Sequence, residues 1–393
     1  MKILFCDFLH WVYPKNNSEL KKLFGELGVE YKYVQPCVIG HSNRALLGDL
    51  PLRKPFRIYR GFDVDAMCKT ETTMETGWYD VSSGTKDKYR QWVMFLIDWA
   101  FEKFEEEKPD YIYLEGGLTY LSRPLIEVAR ELGIGTITTE NSFIKDKIFI
   151  EFDTGYVVNR HSFARTSQDW LDTRYLTGEQ EVELDSIIED VFSSLAYNTE
   201  GDFDFKELPH KKTVFVPLQV YADQVTVYDS KYNNELFLKA ILALAGSYFK
   251  NWNVILKCHP KEERNKPKAT GDWLQRQRLP KNITVIRGET YSYNTQDLMK
   301  NSDLILVNNS QAGLEACLLE KPVVVFGDAF YANKGFTIEA ENADWEKITA
   351  NPKQFVNIET MRKWFYFFYR WLYNKTFTNA DKQRIIKKLH LGG

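Results

Sequence analysis

Leu304-Ile-Leu-Val-Asn-Asn-Ser-Gln-Ala-Gly-Leu-Glu-Ala-Cys-Leu-Leu-Glu-Lys-Pro-Val-Val-Val-Phe326 changes its hydrophobic rhythm three times. Leu304 to Val307 is wholly apolar and short, the pattern of a buried strand. Asn308 to Gln311 is a polar turn, Ala312 to Leu319 reads as a helix, and Pro322 to Phe326 is a second apolar strand. Strand, turn, helix, strand is the punctuation of a parallel sheet with covering helices.

The same punctuation extends outward in both directions. Upstream lie strand Thr213 to Leu218, helix Asn234 to Tyr248, strands Asn253 to Lys257 and Ile283 to Ile286, and helix Gln296 to Asn301. Nearer the start, the run Lys2 to Phe8 is β-rich, Asn17 to Leu27 is helix-compatible, and Glu30 to Val38 is β-like again. Residues 39 to 85, rich in Gly, Pro, Arg and Thr, read as long loops. Lys88 to Glu107 reads as an amphipathic helix with Trp92, Phe95, Leu96, Trp99, Ala100 and Phe104 near one face, stopped by Pro109. Strand Tyr111 to Leu114, helix Arg123 to Leu132 and strand Gly135 to Thr139 complete a second α/β pattern. Tyr197 to Lys212, a polar stretch with Gly201, Pro209 and a Lys pair, follows the charged helix 177–195 and is the expected boundary. The expected domains are therefore 1–200, 211–355 and a helical tail 356–393. Met361 to Lys375 mixes aromatics with four basic residues, so this tail is either an interfacial membrane helix or a helix that packs back on the protein.

Composition removes several function classes. With 51 Lys plus Arg against 54 Asp plus Glu, the formal net charge is -3, which argues against a dedicated nucleic-acid binder. Hydrophobic residues at 44% and charged residues at 27% fit a protein with a real core. The 15% aromatic share serves either that core or sugar-stacking platforms. Five cysteines without a CxxC pair suggest neither a disulfide framework nor a zinc cage, and favour a reducing compartment. The first residues lack a small-residue cleavage site, and no apolar run approaches the ~18 to 20 residues of a membrane span. A cytoplasmic location is expected.

Four clusters follow strands, at the carboxyl edge where open α/β sheets bind ligands. Val254-Ile-Leu-Lys257-Cys-His259-Pro260 delivers a cation and an imidazole two residues apart, suited to a phosphate, although a surface His beside the charged loop Lys261 to Arg264 reads similarly. Asn308 to Ala316 offers Ser310, Gln311 and Gly313 at a helix start, with Glu315 one turn in for ribose hydroxyls; simple capping by Ser310 and a solvated Glu315 is the plainer alternative. Gly327 to Thr337 is a Gly-containing loop with Lys334. Phe215 to Asp223 ends a strand with Gln219 and a carboxylate that either caps a turn or serves as base, nucleophile or hydroxyl anchor. Asp229, the competing carboxylate, lies in a segment (Tyr228 to Asn234) that reads as a surface turn.

Taken together, Gln219-Val220 with Asp223, Lys257 with His259-Pro260, Ser310 with Gly313, Glu315 and Ala316, and Phe330-Tyr331-Ala332 with Gly335 and Thr337 form an ordered set. That set resembles the bacterial capsule polysaccharide biosynthesis proteins that transfer Kdo, an eight-carbon keto-deoxy sugar acid, from CMP-Kdo. Glu140-Asn141-Ser142-Phe143 looks like the family's E-D-G-F element, with Asn141-Ser142 where the family has Asp-Gly. Asp153-Thr154-Gly155-Tyr156 looks like its D-x-x-G-I/Y element. The likeness covers roughly residues 136 to 340. It implies a GT-B-like fold, two Rossmann-type domains facing an interdomain cleft with the C-terminal helix packing back, the first domain on the acceptor side and the second holding the donor. It also implies a metal-independent β-Kdo transferase that retains the donor's configuration in capsule or O-antigen assembly. Asp223 would then be the nucleophile and Glu140 the base for the acceptor hydroxyl. Lys257, His259, Ser310, Gln311, Gly313, Glu315, Gln219 and Lys334 would hold the donor. Expected partners are CMP-Kdo and a glycan or glycolipid acceptor, with no cofactor and no nucleic acid. A CMP-sialic acid transferase, a two-Rossmann epimerase and a non-catalytic scaffold of a glycan-assembly complex remain as rivals. Peripheral attachment to the inner membrane, the acceptor and the oligomeric state stay open.

Overall fold

The computed structural model describes residues 1–6, 14–34, 54–69, 83–153, 159–195, 203–209, 211–221, 223–263, 269–287 and 293–391. The chain divides into two units, Met1–Ser162 with Arg370–Gly393, and Phe163–Tyr369. In the first, β1 (Lys2–Phe5), β2 (Glu30–Tyr33), β3 (Ile58–Tyr59), β4 (Phe62–Asp63), β5 (Tyr111–Glu115), β6 (Gly135–Asn141) and β7 (Lys147–Phe152) follow one another. The second carries β8 (Thr213–Pro217), β9 (Asn253–Lys257), β10 (Ile283–Ile286), β11 (Leu304–Val307), β12 (Val323–Val325) and β13 (Ile338–Glu339). The last strand, β14 (Tyr373–Asn374), returns to the first unit.

The first sheet has the order β14-β7-β6-β5-β1-β2. Strands β2, β1, β5 and β6 are parallel, as the strand–helix–strand punctuation requires. Its pleat sorts the core. Leu4, Ile112 and Leu114 face the cluster that includes Val93, Leu96 and Ile97, while Ile3, Phe5, Tyr113 and Ile137 join Leu20, Leu23 and Phe24. Sequence periodicity left β7 unread. It pairs antiparallel with β6 because only residues 142–146 separate the two, a connection long enough for a hairpin and too short for a crossover. Ser142 shapes that turn: its N–H donates to the Lys147 carbonyl at 3.2 Å and its Oγ accepts from Ile144 N at 3.1 Å.

Within the expected loop 39–85, residues 35–53 and 70–82 lie outside the described residues. The remainder holds the β3–β4 hairpin and a helical turn, Val64–Met67, capped by Asp63, whose side chain accepts from Ala66 N at 2.9 Å. The long helix begins earlier than its apolar pattern, at Ser83.

Every strand of the second sheet is parallel, in the order β10-β9-β8-β11-β12-β13. Counting outward from β8, this is the Rossmann order 3-2-1-4-5-6, which reverses direction between β8 and β11. Strands β8, β9, β11 and β12 are buried throughout, so their sequences are continuous apolar runs and do not alternate.

The units divide at 162/163 and 369/370, not at 200–211 and 355/356 as composition suggested. Polarity marks exposed chain, whereas packing decides membership. Phe163 lies 5.6 Å from Trp364 and 5.8 Å from Phe368, ring to ring. The helix Gly178–Leu195 is tied to the same segment by Arg362 Nη2, 2.7 Å from Glu181 and 2.8 Å from Asp185, and by the Tyr366 hydroxyl, 2.8 Å from Glu183. The tail packs back on the protein. In helix Ile358–Trp371, Met361, Trp364, Phe365 and Phe368 are buried, with Phe330 5.3 Å from Phe368 and Phe336 5.6 Å from Trp364. Beyond it, β14 pairs with β7, and Thr378 and Asp381 form a reciprocal cap on helix Asn379–Lys388. No described helix is long and apolar enough to cross a membrane.

Among the described residues, Trp364 is the largest fully buried side chain. Trp364→Ala should destabilise the second unit by ~3–5 kcal/mol, the usual loss for emptying such a site. Urea unfolding monitored by circular dichroism would show it, and an unchanged midpoint would contradict the packing role given to the tail.

Candidate functional site

The loops that follow β8 and β11 meet where the second sheet reverses its order. After β8, Gln219 is buried and its Oε1 accepts from Asn309 N at 3.2 Å. Asp223 then caps helix Gln224–Asp229, its Oδ1 accepting from Val225 N at 3.0 Å. From the other loop, Asn309 Nδ2 donates to the Val225 carbonyl at 2.9 Å, and Thr226 Oγ1 donates to Asn309 Oδ1 at 3.2 Å. Its neighbour Asn308 donates to the Tyr232 carbonyl at 2.7 Å and accepts from Ser230 Oγ at 2.7 Å. The post-β12 loop joins the same knot: Gly327 N donates to the Asn308 carbonyl at 2.8 Å. A Cβ at Gly327 would stand 2.6 Å from Asn308 Oδ1, so only glycine fits there. Three of the four sequence clusters are thereby brought together. Ala222 lies outside the described residues.

Asp229 is not on a surface turn. It closes the helix that Asp223 begins, is 4% exposed, and its carbonyl accepts from Asp328 N at 2.9 Å. The polar residues of Tyr228 to Asn234 serve buried groups of other loops: Ser230 donates to Asn308, and Asn234 donates to the Val220 and Tyr221 carbonyls.

Lys257 is the last residue of β9 and is buried, with its Nζ donating to Thr295 Oγ1 at 2.7 Å. Burial pulls its pKa down to about 8, since among the described residues no carboxylate is close enough to offset the lost hydration. His259 is half-buried two residues on, and its carbonyl accepts from Glu262 N at 2.9 Å. The expected charged loop is instead a helical turn, Pro260–Glu263, begun by the proline and anchored by the buried Glu262, which accepts from Thr270 N at 2.7 Å. Arg264 lies outside the described residues.

Ser310 Oγ accepts from Ala312 N at 3.2 Å, and Gln311 opens helix Ala312–Leu318 without a side-chain cap of its own. Glu315 is half-buried rather than solvated, and burial pushes its carboxyl up to about 7. Gly313 packs against Tyr331, whose hydroxyl donates to the Ser310 carbonyl. Lys334 departs from expectation. Its ammonium is buried and donates to the carbonyls of Ala164 at 2.7 Å and Thr166 at 2.6 Å, so it braces the backbone of its own unit.

Glu140 belongs to the first unit and sits in β6 opposite Phe149, not in a loop. A Cβ on Gly116, which holds φ +72°, would lie 3.3 Å from Glu140 Oε2. Burial raises its carboxyl to about 7 against the opposing pull of the Asn141 N–H. Asp153 accepts from Thr136 N at 3.0 Å, while Thr154, Gly155 and Tyr156 lie outside the described residues. A groove of about 560 Å³, lined in part by Asp110, Arg130, Asp153 and His390, opens at the amino ends of the parallel strands of the first sheet, the edge away from Glu140. Among the described residues, no three His, Cys, Asp or Glu side chains are placed to share a metal ion.

Sequence reasoning passed over Asn308 and Asn309 as turn polarity, and gave no role to Thr295 or Tyr331. A signal existed for the first pair. Two amides directly after four buried apolar residues need partners of their own.

A family model described as capsule polysaccharide biosynthesis protein matches residues 169–369, just over half of the chain and nearly all of the second unit. No curated protein matches. Among solved structures, the Thermosulfurimonas dismutans KpsC β-Kdo 2,4 transferase is similar at 19% identity over 67% of this chain and 85% of its own, with a TM-score of 0.48. The same organism's KpsC β-Kdo 2,7 transferase aligns at 19% identity over 68% and 78%, with a TM-score of 0.43. S. aureus MnaA, solved with UDP, aligns at 12% identity over 99% and 97%, with a TM-score of 0.38.

The two raised carboxyls fix a pH dependence. Glu140 and Glu315 bind protons more tightly folded than unfolded, so from 4.5 to about 7 the folded chain holds protons the unfolded chain has lost. Stability therefore falls as pH rises through that window. Glu315→Gln or Glu140→Gln should each flatten the fall, read as urea midpoints at about pH 5 and about pH 8. A slope as steep as that of the wild type in both variants would show that neither group is desolvated.

Proposed function

The chain belongs to the capsule polysaccharide biosynthesis protein family, and from that premise we propose that it transfers Kdo from CMP-Kdo to a glycan or glycolipid acceptor. The observation that carries the reading is the buried Lys257 at the carboxyl end of β9, whose ammonium is held by a hydroxyl and, among the described residues, by no carboxylate. Such a cation gains most from a dianionic or monoanionic phosphate that replaces its lost hydration. The strand it ends is adjacent to the point where the sheet order reverses, the usual seat of a nucleotide in this topology.

In this proposal Lys257 and His259 take the phosphate of the departing CMP, with the Ser310–Gln311 turn and Gly313 allowing close backbone approach. Glu315, with a pKa of about 7, gives or receives a hydrogen bond at the ribose hydroxyls. Gln219 aligns the loop that carries Asp223. The Asp223 carboxylate, oriented by the Val225 amide at the start of the helix it caps, attacks the anomeric carbon. The carbon–phosphate-oxygen bond breaks, and CMP leaves with the electron pair. The acceptor hydroxyl then attacks the same carbon, expelling the Asp223 carboxylate and losing its proton to solvent. Two inversions at one carbon retain its configuration. The charge of the leaving group is met by protein groups, so metal independence is part of the proposal.

Release of nucleotide from CMP-Kdo, CMP-sialic acid and UDP-sugars, with and without EDTA, tests this directly. CMP released from CMP-Kdo alone, undiminished by EDTA, is expected; turnover of another donor, or of none by a well-folded chain, would favour a rival class. His259→Ala should weaken CMP binding by ~1.5–3 kcal/mol, the range for charge-assisted hydrogen bonds. Asp223→Asn should keep CMP affinity and lose turnover by orders of magnitude. Unchanged calorimetric affinity in the first variant, or an active second one, would remove the corresponding assignment.

A further inference from the structure

The Ser310 carbonyl takes two donors. Gly313 N reaches it at 3.0 Å from within its own turn, and the Tyr331 hydroxyl reaches it from the loop after β12. Two donors on one carbonyl fix the plane of the peptide that joins Ser310 to Gln311. That peptide is planar and trans, so its N–H points opposite to its C=O. A carbonyl turned toward the buried Tyr331 therefore turns the Gln311 N–H away from Tyr331.

We infer that Tyr331 is a positioning residue of the donor site: its hydroxyl pins the Ser310 carbonyl and so sets the Ser310–Gln311 turn that receives the phosphate. Several features have no other common purpose. Tyr331 is fully buried, and burial keeps its phenol protonated and able to donate. Gly313 leaves the room the phenol occupies; a Cβ there would stand 2.9 Å from both the Tyr331 ring and Val307 Cγ2, and closer still to the hydroxyl. Tyr331 is anchored from behind through Phe330, 5.3 Å away edge-on, which packs 6.0 Å from Trp364 and 5.3 Å from Phe368 of the tail helix. The third sequence cluster thus acts through the second. The identity of the ligand rests on the proposed function; the pin itself does not.

Tyr331→Phe removes one hydroxyl and keeps the ring. Amide exchange should speed up at least ~5-fold in peptides spanning Asn308 to Glu315, with exchange elsewhere in the unit and the unfolding midpoint little changed. The dissociation constant for CMP, measured by calorimetry, should rise ~3- to 10-fold, the worth of one hydrogen bond. Exchange unchanged in the turn overturns the pin. Faster exchange with unchanged CMP affinity overturns its link to the donor. Loss spread evenly over the unit, with CMP affinity intact in the folded protein, makes Tyr331 a packing residue and overturns the inference as well. A wild-type chain that binds no CMP defeats the proposed function, and the pin is then decided by the exchange rates alone. Should Tyr331→Phe not fold, Gly313→Ala crowds the same hydroxyl from the opposite side and is expected to give the same local signature.

Discussion

Asn309 holds the second unit's two central loops together. Its backbone N–H meets Gln219, and its side chain spans to Val225 and Thr226. The residue is almost fully buried, so each of these bonds replaces water that the amide has lost, and an unmet partner would cost ~1–3 kcal/mol. Asn308 repeats the device one residue earlier toward Ser230, Tyr232 and Gly327. Because the sheet reverses its order there, loops from opposite halves of the sheet begin side by side. Without a polar clasp they would diverge with the strands. The position of Asp223, at the head of the clasped helix, follows from this bonding.

Desolvation is the shared electrostatic theme. Lys257, Glu140 and Glu315 are all moved toward their neutral forms by burial rather than by a charged neighbour. A fold selected for stability alone would pair or expose such groups. Keeping them buried with no counter-charge among the described residues lowers stability at neutral pH and leaves groups that an anion, a hydroxyl or a proton can satisfy. Glu107 shows the contrast: Lys2 and Lys32 hold its carboxyl down at about 2, a structural ion-pair cluster remote in kind from the site.

The fold was legible wherever burial on both faces made a strand uniformly apolar. Leu304 to Val307 and Asn253 to Lys257 appear with the bounds their sequences suggest. Legibility failed where a residue's role depends on partners distant in the chain. The antiparallel β7 carries the same apolar letters as a parallel strand, and only the short turn before it sets its direction. The unit boundary was misplaced because Glu181 and Asp185 look like solvated helix charge until Arg362 is brought against them. Lys334 and Lys257 are the same residue type, one in a loop after β12 and the other at the end of β9. One finds two carbonyls of its own unit and the other a single hydroxyl, a distinction set entirely by tertiary packing. Gly313 was noticed as part of a motif, but the phenol that requires it lies 18 positions later.

The central claim is that the reversal point of the second sheet holds the nucleotide of the donor. A crystal structure of the full chain soaked with CMP measures it most directly. The account predicts the phosphate within about 2.7–3.2 Å of Lys257 Nζ and of the His259 ring, beside the Ser310–Gln311 turn. A nucleotide bound with its phosphate away from both Lys257 and His259, or seated on the first unit alone, would contradict it.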